Sequence, residues 1–203
     1  MSDDTRATIK QRLSVMQARQ RRAERMRRVA VIAAVVVVLG GLVATATVLI
    51  LKERGRSSLD AVQTIAVTQR EHTTDPVTYP QSPPVGGNHD PAWQNCGLYS
   101  QPLRNENVVH AQEHGAVWIT YRPDMPMDQV EKLLALARGR DYIIVSPFPD
   151  LSAPVVVSAW TKQLKLDRVD DPRLPAFLRA YIQGPATPEP GAPCSGGIGE
   201  PSV

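Results

Sequence analysis

From Val29 to Leu51 the chain shows no alternation of apolar and polar positions: VAVIAAVVVVLGGLVATATVLIL holds no charged residue in twenty-three. At about 1.5 Å per residue, a helix of that length crosses a hydrocarbon core of about 30 Å. A secretory signal has an apolar region of only about 7–15 residues and a small-residue cleavage site. This run is longer and continues into KERGR, so it reads as an uncleaved signal anchor.

Beyond it, Ser57–Thr74 has no clear period, and DPVTYPQSPPVGGNHDPAW (Asp75–Trp93) is crowded with proline and glycine. Such a segment is neither helix nor interior strand; a loop of that length in a small domain usually carries function or is disordered, and its aromatic pair and histidine favour order. The pattern then turns regular. AVWITY (Ala116–Tyr121) is β-branched and aromatic, and so predicts a strand. MDQVEKLLALARGR (Met127–Arg140) sets Val130, Leu133, Leu134 and Ala137 on one helical stripe, with Gly139 as its stop. DYIIVSP (Asp141–Pro147) and PVVVSAW (Pro154–Trp160) predict two further strands. Asp171–Gly184 predicts a second helix, with Pro172 near its start and Asp170-Asp171 as its cap.

The expectation is an α+β fold: a single N-terminal transmembrane helix followed by a small exported α/β sandwich with a β-α-β-β-α core and a Pro/Gly-rich loop. It divides into a basic cytoplasmic tail (1–28), the membrane helix (29–51), a stalk (52–67), a globular domain (68–197) and a C-terminal tail (198–203).

Charge fixes the expected orientation. The formal net charge is +3, but Met1–Arg56 carries twelve Lys/Arg against four Asp/Glu, and the remainder eleven against sixteen. The basic excess sits in the leader, which argues against nucleic acid as a partner of the folded part. Nine Lys/Arg precede the apolar run and three follow it closely, so the positive-inside rule keeps the N-terminus cytoplasmic and exports Ser57–Val203. The expected location is the cell membrane, single-pass, with an extracytoplasmic domain. The partners are the membrane itself and an envelope protein. Both cysteines, Cys96 and Cys194, lie in the exported part and read as one disulfide.

The candidate chemistry lies in VVHAQEHGAVWITY. The chain's four histidines, His72, His89, His110 and His114, all lie in the exported part. Imidazole binds borderline metals without charge cost. On a short helix His110 and His114 share a face, and Gly115 ends it. His89, after GGN, is the third ligand, His72 the weaker fourth, and Glu113 a further ligand or a partner that fixes a tautomer. The ion is copper or zinc.

The competing reading makes these histidines hydrogen-bonding residues of an accessory, non-catalytic interaction protein. His110-x-x-Glu113-His114 also matches the inverted zincin pattern of zinc-dependent hydrolases. That mechanism needs a long helix and a further acidic ligand, whereas Gly115 and a strand follow at once. No catalytic residue is assigned. Met125-Pro126-Met127 suits copper(I), but Met127 also opens the amphipathic helix, where packing is its expected role.

VTYPQSPPVGGNHDPAWQNCGLY, VVHAQEHGAVWITYRP, SPFPDLSAPVVVSAW and PEPGAPCSGG together resemble a bacterial family catalogued as domain of unknown function 3105. The likeness covers about Thr68–Gly197. Its marks are Pro83-Pro84 with Gly86-Gly87 and His89, Cys96-Gly97, His110 with Glu113-His114-Gly115, and Cys194. His72 stands where members often carry a histidine. The resemblance implies a short cytoplasmic N-terminus, one membrane anchor and an envelope-facing domain, and no activity.

Overall fold

The computed structural model describes residues 3–202, in two compact units that divide after Gly55. In the first, the basic tail and the apolar run form one continuous helix, α1 (Asp3–Arg56). Its Arg19–Arg56 portion is long and apolar enough to cross a membrane. Thr45 and Thr47, inside the apolar run, donate their hydroxyls to the carbonyls of Gly41 and Val43 at 2.8 and 2.9 Å. Both hydroxyls are thereby paired within the helix.

The second unit is built on a six-stranded mixed sheet in the order β1-β6-β5-β3-β4-β2. Its strands are β1 (Gln63–Thr64), β2 (Gly97–Leu98), β3 (Val117–Tyr121), β4 (Ile143–Pro147), β5 (Val155–Ala159) and β6 (Lys162–Leu166). β3 and β4 are parallel and joined through α3 (Met127–Ala137), as a parallel pair requires a crossover. β5 runs antiparallel to β3 and turns straight into β6, with Thr161 at φ 62° in the turn. β3, β4 and β5 are buried along their whole length, which explains why their sequences are apolar runs rather than alternations.

Side-chain alternation sorts the core into two faces. On one, Val117, Ile119, Ile143, Val145, Val155, Val157, Leu164 and Leu166 meet Val130 and Leu133 of α3 and Leu174, Phe177 and Leu178 of α4 (Arg173–Tyr181). On the other, Trp118, Ile144 and Val156 meet Val108 and Ala111 of α2 (Asn105–Glu113). This second face also buries Thr120, Ser146, Ser158 and Gln163.

The expected strands and both amphipathic helices are present, with trimmed ends. α4 spans nine residues, and Asp171 accepts the Arg173 N–H at 2.9 Å at its start. Three strands differ from the sequence reading, so the sheet exceeds the β-α-β-β-α pattern. In β6, Lys162 and Lys165 mask the inward Leu164 and Leu166, while β1 and β2 are two residues each, too short for a period. β1 lies in the expected stalk, where Leu59 and Val62 also pack on the core. The expected C-terminal tail is likewise bound: Ile198 bridges Gln94, and the Ser202 N–H reaches the Leu98 carbonyl at 2.7 Å.

The Pro/Gly-rich loop is ordered by its carbonyls. Proline has no N–H, so a proline-rich backbone needs donors from elsewhere. Gln163 Nε2 donates to Pro83 O at 2.8 Å, Gln112 Nε2 to Pro84 O at 3.2 Å and the Thr161 N–H to Val85 O at 2.7 Å. Three successive carbonyls are thus pinned to the polar face of the sheet and to α2. That anchorage delivers His89 to the helix.

Candidate metal centre

α2 carries His110 and Glu113 on one face, three residues apart. The pinned loop brings His89. His72 arrives on a neighbouring segment held by a parallel bridge to His89, in which Thr73 N–H donates to His89 O at 2.7 Å and His89 N–H to Glu71 O at 3.1 Å. The three ring centroids form a near-equilateral triangle: His72 to His89 5.0 Å, His72 to His110 4.9 Å, His89 to His110 4.9 Å. One donor atom each from His72, His89, His110 and Glu113 lie within 4.8 Å of one another, so this group could hold a metal ion. His89, His110 and Glu113 are 0%, 5% and 3% exposed, whereas His72 faces solvent.

Hydrogen bonds decide which nitrogen each buried ring presents. His89 Nδ1 contacts Gly87 O at 2.8 Å, and His110 Nδ1 contacts Asp90 O at 2.7 Å. A carbonyl only accepts, so each Nδ1 carries a proton and each Nε2 is turned toward the cluster. Burial, aided by the nearby imidazoles of His114, His89 and His72, pushes His110 down to about 4 despite the opposing pull of the Asp90 carbonyl. It is therefore a neutral donor at pH 7.

His89 Nε2 then lies 2.9 Å from Glu113 Oε2, with no hydrogen bond made by that nitrogen among the described residues. A buried imidazole nitrogen and a carboxylate oxygen this close need a proton or a cation between them. A divalent ion satisfies both at once.

His114, expected as a ligand, lies outside this donor group. It closes α2, with its ring 4.6 Å from that of His110. Its Nδ1 is bound to Pro193 O at 2.7 Å, and its Nε2 is 3.7 Å from Glu189 Oε2. It holds the C-terminal segment beside the site. Cys96 and Cys194 stand at disulfide distance with Cα atoms 5.4 Å apart, next to that Pro193 contact. At Gly115 the backbone has φ 96°, and an added Cβ would meet Gln183, whose amide bonds the His114 carbonyl. Only glycine fits both conditions.

Two residues with no sequence signal organise the surroundings. Arg104, one residue before α2, donates to Asp90 Oδ2 at 2.7 Å and to Thr74 O at 3.0 Å, and pairs with Glu106 at 3.2 Å. It thereby ties the His72 segment and the His89-Asp90 turn to the helix. Trp93 lies 5.7 Å from His110 and 5.0 Å from His114, ring to ring. The Met125-Pro126-Met127 stretch lies apart from the group, with Met127 exposed and Met125 packed against the α3 core.

The family described as protein of unknown function (DUF3105) matches residues 71–196. The chain belongs to it. All four donors of the cluster and both cysteines fall within that span. No curated protein and no solved structure matches the chain. In this family member the carbonyls of Pro83 and Pro84 accept from Gln163 and Gln112, and His89, His110 and Glu113 lie together.

Proposed function

We propose that this protein is a membrane-anchored extracytoplasmic metal-binding protein, taking one copper or zinc ion through His89, His110, Glu113 and His72. Its role is metal handling, or a structural site within an envelope complex, without turnover. The observation that carries the reading is the convergence of one donor atom each from His72, His89, His110 and Glu113 within 4.8 Å of one another. The imidazole and carboxylate donors suit Zn(II) and Cu(II).

Calorimetric titration of the full-length chain in detergent with Zn(II) and Cu(II) is the test. One tight site in wild type, lost in His89→Ala and His110→Ala, is expected; equal weak binding by all three overturns it. The basic flank of the apolar helix supports a cytoplasmic N-terminus and an exported domain. A reporter fused after Val203 that works only in the cytoplasm would sink that orientation.

The alternative is an accessory envelope protein with structural histidines. It has its own support: His89, His110 and His114 each bond a loop carbonyl, Gly87, Asp90 and Pro193 respectively. A zinc hydrolase of the inverted zincin type gains none, because Glu113 stands among the donors and His114 does not.

A further inference from the structure

The four donors are not equivalent, and the inequality bears on how an ion enters and leaves. His89 and His110 are oriented by carbonyls, and Glu113 is fixed on α2; all three are buried. His72 is exposed, and neither of its ring nitrogens makes a hydrogen bond among the described residues. The ring lies against two other imidazoles, edge-on to His89 and stacked on His110. Its backbone is nonetheless held, by the bridge to His89 and by Arg104 on Thr74 O at 3.0 Å. A ligand whose backbone is fixed and whose side chain is unconstrained can rotate off a metal without disturbing the fold.

We propose that His72 is the exchange ligand of this centre: the ion passes in and out on the His72 side, by rotation of that one ring, while His89, His110 and Glu113 stay in place. The inference rests on the metal-binding reading and makes the site labile rather than structural. Replacement of a ligand requires an incoming donor to reach the ion. Three of the four donors are walled in by α2, the pinned loop and Trp160, whose ring lies 6.1 Å from that of His89. A purely structural site in the same fold would release its ion only when the domain opens, at the slow rate of unfolding.

The experiment loads full-length protein in detergent with Zn(II), or with Cu(II) if the titration selects it, and follows release to the chelator 4-(2-pyridylazo)resorcinol by stopped flow. In wild type the rate should rise with chelator concentration and then level off at the rate at which His72 leaves. His72→Ala should still bind, release at least about tenfold faster and show no plateau, and free imidazole should slow it again. His72 is exposed and its bridge uses backbone groups only, so the substitution leaves the fold intact; circular dichroism verifies this. A wild-type release rate that ignores chelator concentration and equals the unfolding rate overturns the inference while metal binding stands. Equal release by wild type and His72→Ala does the same. Failure of wild type to bind any ion overturns the metal reading itself, and this inference with it.

Discussion

The two faces of the sheet are built from the same strands and do opposite work. Toward α3 and α4 the buried cluster is hydrophobic, from Val117 and Ile119 to Leu164, Leu166 and Phe177. Toward α2 the same strands offer Trp118, Thr120, Ser146, Ser158 and Gln163, and each of these polar groups is paired. Trp118 Nε1 donates to Ser146 Oγ at 2.9 Å, Thr120 Oγ1 to Val156 O at 2.9 Å, and Gln163 Nε2 to both Pro83 O and Ser158 Oγ. An apolar face gains stability from area alone, without direction. A polar face costs stability unless every group finds its partner, and in return it fixes the position of what lies above it. Here that is the loop bearing His89.

The comparison can be broken by unequal truncation. Phe177→Ala on the apolar face should cost about 3–5 kcal/mol of stability. Below its lowered melting temperature, the variant should keep wild-type metal stoichiometry; loss of binding in a still-folded variant would show that the faces are not separable. His110→Ala should do the reverse, weakening metal binding by about a hundredfold or more while the metal-free melting point moves little. Trp93, 5.7 Å from His110, supplies a fluorescence readout, since Cu(II) at the site should quench it.

A smaller effect concerns acid. His110 is pushed from 6.5 down to about 4 in the folded chain, so between those values the unfolded chain binds the extra proton. The metal-free protein should therefore lose stability as pH falls from about 6.5 toward about 4, with no contribution from this group above 6.5. Denaturant titrations at pH 7 and pH 5 check this, and His110→Ala should remove the difference between them.

The smallest effect separates the two histidines of the motif. His114→Ala should change metal affinity by less than about tenfold, because it lies outside the donor group with its Nε2 toward Glu189. It should instead open the C-terminal segment to protease, most clearly once the Cys96–Cys194 pair is reduced. Peptide mapping without reductant should recover those two cysteines linked; a loss of affinity matching that of His110→Ala would place His114 in the site after all.

Local rules sufficed for much of this. The apolar run of α1, the strands β3, β4 and β5, the stripe of α3 and the stop at Gly115 are each set by neighbours within a few residues, which is why their periods can be read directly. Histidine as the candidate chemistry was equally legible, since the residue type carries the chemistry. The choice among the four was not. At three and four residues from His110, Glu113 and His114 are both neighbours on the helix surface, and spacing does not say which joins the group. Contacts from residues distant in sequence separate them: His89, 24 positions before Glu113, reaches that carboxylate, while the His114 Nε2 turns toward Glu189 at 3.7 Å and lies outside the donor group. β6 is not legible in this way because Lys162, Gln163 and Lys165 outnumber the inward Leu164 and Leu166 until β5 is placed beside them. The sequence determined the elements and the kind of donor, because those depend on local periodicity and side-chain chemistry. The tertiary structure alone decided which imidazoles meet and which nitrogen each presents, because both depend on hydrogen bonds between residues far apart in the chain.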